Sequence, residues 1–243
     1  GHASARGVLA VALLNQGRVD DARDQYLQLI AQNPREFRVH GVLGSIALRQ
    51  GDLDGAARHY QDALAVAPTF VEAISGLGLI AMIRGDDAAA RNWFDRVLAV
   101  DPDFPDAHRL LGDLYFEQQR FADARDAYAK ALALLPGDYR TLIQAAASAR
   151  RADAAASARD WLQQAVRLRP ERWMAHYNLA CLDAIAGAGD DAFAHLRDAV
   201  ALEPDAISLA MIDNDWAQWR GDARFKAMVS NGRPATATRP QSR

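Results

Sequence analysis

Three histidines, His40, His108 and His176, recur 68 residues apart, and imidazole is a common ligand of divalent metals. Ligands of one zinc ion lie within about 2 Å of it. If the interval spans two stacked helical repeats, equivalent residues are separated by about four interhelical distances of roughly 8 to 10 Å. We therefore expect the three histidines to occupy packing positions, and we predict no metal site.

Other reactive residue types are few and lack the neighbours that catalysis needs. Cys181 is the only cysteine, so no intramolecular disulfide can form, and we expect an inert, half-buried thiol. His59 and His195 share one position of a repeat and are expected to face solvent. No glycine-rich phosphate loop, His-Glu-x-x-His motif or Gly-x-Ser-x-Gly motif occurs. We predict no enzyme and no cofactor.

The composition predicts a folded, soluble chain without a strong electrostatic partner. Half of the 243 residues are hydrophobic, a quarter are charged, and the formal net charge is only -3. This balance argues against nucleic acid and anionic membranes as partners. No apolar run approaches the length of about 20 residues that spans a bilayer, so no membrane insertion is expected. Cytoplasmic and periplasmic locations are both compatible with the sequence.

The positions of the prolines show how the chain is divided into repeats. Six prolines are spaced 34 residues apart, which is typical of stacked helical hairpins. They are Pro34, Pro68, Pro102, Pro136, Pro170 and Pro204. The corresponding repeats are 3–36, 37–70, 71–104, 105–138, 139–172 and 173–206.

Small and large residues follow the same period. An alanine precedes each of the six prolines by twelve residues, at Ala22, Ala56, Ala90, Ala124, Ala158 and Ala192. A second small series lies on the first helix of each hairpin, at Ala10, Gly44, Gly78, Gly112, Ala146 and Ala180. Large residues follow on the second helices, at Tyr26, Tyr60, Phe94, Tyr128, Leu162 and Leu196. This pattern predicts closely packed helix pairs and no sheet.

Small residues at repeat positions 8 and 20, an aromatic at 24 and proline at 32 make residues 3–206 resemble the tetratricopeptide repeat family. The resemblance implies an all-α fold, an α-solenoid of six 34-residue helix-turn-helix repeats that forms a right-handed superhelix. Repeat five departs most from the pattern, with Ala145, Leu162 and a charged turn at 150–153, so its hairpin geometry is the least defined.

Both ends lie outside the repeats. Gly1-His2 is typical of a tag remnant. Residues 207–229 are expected to cap the last apolar face, with Ile207, Leu209 and Ile212 on a capping helix and both Trp216 and Trp219 packed inside. This segment resembles one that closes many bacterial arrays of the family. Residues 230–243 are expected to form a flexible tail.

The resemblance also implies a concave groove lined by positions 2, 5, 9, 12 and 13 of each repeat. The partner-binding candidates at these positions are Arg38, Arg49, Glu72, Met82, Arg109, Asp113, Phe116, Glu117, Arg140, Arg150 and Tyr177. In one interpretation, an apolar floor takes partner side chains while arginines bind partner carboxylates. In the other, arginines and acidic residues of adjacent helices neutralise each other on a solvated face.

Three functions remain open at this level. The first is a scaffold or adaptor that binds a peptide or helix of a protein partner in the concave groove. The second is a regulatory or sensory module of a larger signalling protein or enzyme. The third is a structural component that self-associates through its N-terminal repeat, whose apolar edge has no obvious cap.

Overall fold

The computed structural model describes residues 2–232, and within this range the chain is helical with no β-strand. Fourteen α-helices and one 3₁₀ helix follow one another. The first helices of the repeats are α1 (His2–Asn15), α3 (Phe37–Arg49), α5 (Val71–Ile83), α7 (Pro105–Glu117), α9 (Tyr139–Arg151) and α11 (Trp173–Ile185). The second helices are α2 (Val19–Gln32), α4 (Leu53–Val66), α6 (Asp87–Val100), α8 (Phe121–Leu134), α10 (Ala155–Leu168) and α12 (Gly189–Leu202).

The helix boundaries follow the period of the prolines. Each second helix begins 34 residues after the previous one, and each ends two residues before its proline. Proline has no backbone N–H and restricts the residue before it, which explains why no second helix runs on into the next repeat. The predicted all-helical solenoid class is confirmed.

The turn inside each hairpin uses a left-handed residue. Gly17, Gly51, Gly85 and Gly187 have φ between 74° and 80°. In the fourth and fifth repeats the same place is held by Gln119 (φ 59°) and Asp153 (φ 55°). Repeat five therefore keeps a regular hairpin in spite of its divergent sequence, because the packing around the turn outweighs the modest cost of a left-handed non-glycine residue.

The chain divides into two compact units, residues 1–118 and 119–243. The first contains α1 to α7, and its core includes Tyr26, Tyr60 and Phe94, each at most 5% exposed. The second contains α8 to α14, with Tyr128, Leu162 and Leu196 at most 2% exposed. All six alanines at repeat position 20 are fully buried.

Glycines on the first helices let the aromatic rings of the second helices approach the backbone. A Cβ atom on Gly44 would lie 2.6 Å from the Tyr60 ring, and one on Gly76 would lie 2.3 Å from it. A Cβ on Gly78 would lie 2.4 Å from the Phe94 ring. Such contacts are far shorter than van der Waals separation, so these glycines define the depth to which each ring enters.

In the second unit, three short helices follow α12 and close its apolar face: α13 (Ala206–Ile212), the 3₁₀ helix (Asn214–Trp219) and α14 (Ala223–Gly232). Trp216 is fully buried, and its ring centroid lies 5.7 Å from those of Phe193 and Phe225. Trp219 donates its indole Nε1–H to the carbonyl oxygen of Ala184 at 3.0 Å. Trp216 is therefore packed inside as expected, whereas Trp219 is only half-buried and packs against this cluster.

The expected helix with Ile207, Leu209 and Ile212 forms as α13, but only one of these three apolar residues is buried. Ile207 is buried at 2% exposure, but Leu209 is 41% and Ile212 is 76% exposed. The helical period explains the difference, because Ala206 and Ala210 share the inward face of α13 with Ile207. At the chain end, α14 extends to Gly232, three residues into the predicted tail, while residues 233–243 and Gly1 lie outside the described residues.

Cys181 lies inside the contact between α11 and the cap. It is 2% exposed, and its thiol donates to the Asp213 carboxylate, with Sγ 3.8 Å from Oδ2. The Tyr177 hydroxyl donates to the same oxygen at 3.1 Å. Burial raises the pKa of the Cys181 thiol to about 12, and the nearby Asp213 carboxylate acts in the same direction. The thiol is therefore more deeply buried than the sequence suggested.

We expect Gly44→Ala to lower the free energy of unfolding by about 1–3 kcal/mol, because the added methyl group meets the Tyr60 ring. Gly7→Ala is the matched control: it is also a helical glycine, but nothing lies within 4 Å of its added Cβ. That variant should be neutral or stabilising by up to about 1 kcal/mol, the helix preference of alanine. Urea denaturation measures both, and equal effects would contradict this account.

We expect Cys181 in the folded protein to react with iodoacetamide at pH 8 at least about 100-fold more slowly than in denaturant, because only the exposed thiolate is nucleophilic. Mass spectrometry of timed aliquots measures the rate. Rapid labelling without denaturant would show that the cap does not hold the thiol in the described position.

Candidate functional site

A pocket of about 310 Å³ lies in the first unit, on the first helices of repeats two to four. Its residues come mainly from α3, α5 and α7, at the positions that the family resemblance assigned to the groove. They are Ser45, Leu48, Arg49, Tyr60, Glu72, Ser75, Gly76, Leu79, Phe104, Asp106, Arg109 and Leu110. Three of the predicted site residues, Arg49, Glu72 and Arg109, are therefore brought together.

Tyr60 contributes a fixed polar atom to the pocket wall. Ser45 donates its hydroxyl proton to the carbonyl oxygen of Gly41 at 3.1 Å, which leaves its Oγ to accept from the Tyr60 hydroxyl, also at 3.1 Å. Burial raises the pKa of the Tyr60 phenol, so the hydroxyl stays protonated. A protonated, hydrogen-bonded phenol positions a ligand rather than acting as a base.

The charged residues of the pocket fall into two classes. Arg109 bonds to two carboxylates of its own helix, with Nε 3.1 Å from Asp106 Oδ1 and Nη1 3.0 Å from Asp113 Oδ2. Arg49 and Glu72 are exposed, and neither forms a hydrogen bond or ion pair with another residue of the part that the structure describes. Arg109 is therefore neutralised by carboxylates of its own helix, whereas the expectation concerned adjacent helices; Arg49 and Glu72 remain available.

The other predicted site residues of the first unit lie outside the pocket lining. Arg38 is exposed, with its guanidinium carbon 5.2 Å from the centroid of the Phe37 ring. Met82 and Phe116 are half-buried, and Glu117 is exposed. The structure therefore does not gather these residues into one cavity with Arg49.

In the second unit the cap occupies part of the surface that the sequence assigned to a partner. Tyr177 is 8% exposed and hydrogen-bonded to Asp213, and Arg150 forms an ion pair with Asp215. Burial raises the pKa of the Asp215 carboxyl, and the Arg150 guanidinium opposes that shift. Arg140 is exposed.

Sequence reasoning missed four lining residues that lie at none of the assigned groove positions, Tyr60, Gly76, Phe104 and Leu110. Tyr60 lies on a second helix, and the family scheme places only first-helix positions in the groove. The signal for Tyr60 was Gly76, an extra small residue on α5 that lets the ring pass beside the backbone. Phe104 was missed because it immediately precedes α7, in the linker between two helices.

The histidines at repeat position 4 pack as expected, and each donates its Nε2–H to the carbonyl oxygen of a proline six residues earlier. The distances are 3.0 Å for His40 to Pro34, 3.1 Å for His108 to Pro102 and 3.0 Å for His176 to Pro170. Proline carbonyls only accept, so this nitrogen carries the proton in all three.

The expectation that His59 and His195 face solvent is wrong. Both are half-buried. His195 Nδ1 lies 2.8 Å from Oδ2 of Asp183, a carboxylate only 1% exposed that also pairs with Arg159. His59 faces His40, with 3.4 Å between their Nδ1 atoms. A buried carboxylate needs such partners, but nothing in the repeat pattern marks Asp183 as buried.

Within the described residues, none of the helices is both long and apolar enough to cross a membrane.

Sequence profiles of the tetratricopeptide repeat match residues 8–69, 47–114 and 105–138 of the chain. Together they extend without a gap from residue 8 to residue 138, which is more than half of the sequence. No curated protein matches the chain.

Several solved structures have a similar fold. MamA is 21% identical, with a TM-score of 0.61, over 71% of this chain and 94% of MamA. YrrB, described as a TPR protein with an unusual peptide-binding site, is 17% identical, with a TM-score of 0.64, over 77% of this chain and 98% of YrrB. PilF of Pseudomonas aeruginosa is 14% identical, with a TM-score of 0.72, over 94% of this chain and 97% of PilF.

At these identities the structural likeness concerns the fold alone. The profile matches, the 34-residue helix period and the buried small residues at position 20 agree with one another. The chain belongs to the tetratricopeptide repeat family.

Proposed function

We propose that this protein is a non-enzymatic interaction scaffold that binds a peptide or helical segment of a protein partner in the pocket formed by α3, α5 and α7. Membership of the tetratricopeptide repeat family supports a role in protein interaction. The similar fold of YrrB, a TPR protein with a peptide-binding site, supports a peptide as the bound form.

One observation carries the proposal: Arg49 and Glu72 line the same pocket as apolar side chains and have no described ion partner. A guanidinium binds a carboxylate through two parallel hydrogen bonds, and a carboxylate accepts from a basic side chain. Leu48 and Leu79 supply the apolar contact between them. This combination suits a short segment that carries an acidic residue beside an apolar one.

The size of the pocket favours a peptide over a large cofactor. A volume of about 310 Å³ is at the lower end of the range of ligand pockets, roughly 300–1,000 Å³. It accommodates one or two side chains, while the rest of the segment lies along the exposed first helices. Tyr60, held protonated by burial, offers a hydroxyl at the wall rather than a catalytic base.

We expect Arg49→Ala to weaken binding of a selected peptide by about tenfold or more, because a charge-assisted hydrogen bond contributes about 1.5–3 kcal/mol. Peptides are selected from a displayed random library against the wild-type protein, and the dissociation constant is measured by fluorescence anisotropy. The selected sequences should contain an acidic residue next to an apolar one.

Arg38→Ala is the matched control, since it removes the same charge from an exposed position outside the pocket. It should change the dissociation constant by no more than about twofold, the scale of a rim charge. Equal affinities of the wild type and Arg49→Ala, or an equal loss in both variants, would refute the assignment of the pocket.

A second candidate, self-association through the N-terminal repeat, is favoured by exposed apolar residues on α1. Val8 is 69%, Leu9 is 48% and Val11 is 51% exposed. Contiguous apolar surface of this kind is typical of interaction faces. An interface between two copies of α1 buries it.

If that candidate holds, sedimentation equilibrium of the wild type should give a mass that rises with concentration, and Val8→Lys with Val11→Lys should give a monomer. Val100→Lys, which changes an apolar residue 41% exposed on α6, should leave the association intact. A wild-type monomer at all concentrations would eliminate the candidate.

A further inference from the structure

Three side chains with metal-binding atoms converge between α3 and α4, outside the peptide pocket. The Nδ1 atoms of His40 and His59 are 3.4 Å apart, and His40 Nδ1 lies 3.6 Å from Asp62 Oδ2. One ligand atom from each of the three residues lies within 4.8 Å of the others. Two imidazole nitrogens and a carboxylate oxygen form a ligand set that suits zinc and its neighbours among the divalent transition metals.

The hydrogen bond made by Nε2 sets the tautomer of the neutral His40 ring. Nε2 donates to the carbonyl oxygen of Pro34 at 3.0 Å, so in the neutral ring the Nδ1 lone pair is directed at His59 and Asp62. Histidine ligands of metals usually donate their second ring N–H to a carbonyl or carboxylate in this way. His40 is also 6% exposed, which limits the freedom of the ring.

Two of the three separations between ligand atoms match tetrahedral coordination. Two ligands at about 2.0–2.1 Å from one ion, at a tetrahedral angle, are about 3.3 Å apart. The observed 3.4 Å between the imidazole nitrogens is close to this value, and the 3.6 Å to Asp62 requires only a slightly wider angle. We propose that His40, His59 and Asp62 bind a divalent transition-metal ion such as Zn²⁺, with water as the fourth ligand.

The surroundings leave an entry path for the ion and its water. A cavity of about 330 Å³ is lined by His40 and Asp62, and another of about 390 Å³ is lined by His59 and Asp62. The Asp62 side chain is 60% exposed, so its carboxylate is reachable from solvent.

Repeat six carries the same three residues in the same register but arranges them differently. His176, His195 and Asp198 correspond to His40, His59 and Asp62. There, Nδ1 of His195 is bound to the buried Asp183 at 2.8 Å. The residue in the place of Asp183 in repeat two is Ala47, which has no carboxylate and lines the cavity beside His59. The repeat-six residues therefore supply a natural control.

The test is isothermal titration of the full chain with Zn²⁺ in metal-free buffer, followed by visible absorption of the Co²⁺ form, whose intensity reports tetrahedral coordination. We expect one Zn²⁺ per chain. His59→Ala and Asp62→Asn should each weaken the affinity for Zn²⁺ by at least about tenfold. Changes to residues that only hydrogen-bond to a metal ligand already cost that much metal affinity. Asp198→Ala, which changes the repeat-six counterpart, should change the affinity by less than about twofold.

Thermal denaturation separates a binding defect from a folding defect. Without metal, His59→Ala should melt near the wild type, whereas added Zn²⁺ should raise the melting temperature of the wild type alone. Zinc affinity that is unchanged in both His59→Ala and Asp62→Asn would overturn the proposal. So would an equal loss in Asp198→Ala, or the absence of zinc binding to the wild type, which would leave only a hydrogen bond between His40 and His59.

Discussion

The close approach of an aromatic ring to a glycine backbone determines how these helices pack. Tyr60 enters between Gly44 and Gly76, in space that a single Cβ atom on either would occupy. The same kind of contact links Phe94 with Gly78. Helical repeats are stabilised mainly by contacts within a hairpin and with the next hairpin, so the depth of each ring fixes the spacing of its neighbours. Tyr60 thereby connects the core to the pocket, because its hydroxyl reaches the pocket wall.

In the second unit, residues outside the repeats cover part of the surface that the sequence assigned to a partner. The 3₁₀ helix and its preceding residue bring Asp213 and Asp215 to Tyr177 and Arg150. Burying the last apolar face is a requirement of any solenoid, and here it also uses groove positions of α9 and α11. The residues of α3 and α5 have no such cover among the described contacts, and their charges stay available to a partner. Burial of the cap in the second unit and the proposed recognition in the first unit thus draw on the same repeat positions.

The repeat register could be predicted from the sequence because it depends on steric properties of single residues. Pro34 and its equivalents cannot continue a helix, and Ala22 and its equivalents leave room for a neighbouring backbone. The state of individual polar side chains could not be predicted in this way. The pair of Arg109 and Asp113 is compatible with their spacing of four residues on one helix, but the lack of a described ion partner for Arg49 could not be read from the sequence. His59 was misjudged because the pattern contains no information about its contact with His40.

The hydrogen bond from histidine to the proline carbonyl has a consequence for how copies of a repeat diverge. It recurs in three repeats and satisfies a carbonyl at the end of a helix pair, so it serves the scaffold wherever it occurs. The same bond leaves the second ring nitrogen with a lone pair in a constant direction. This hydrogen bond, shared by alternate repeats, thus leaves the histidine Nδ1 atom able to coordinate a metal. Whether this atom can bind a ligand depends on neighbouring residues such as Ala47 or Asp183. These residues can change without disturbing the register of the repeats.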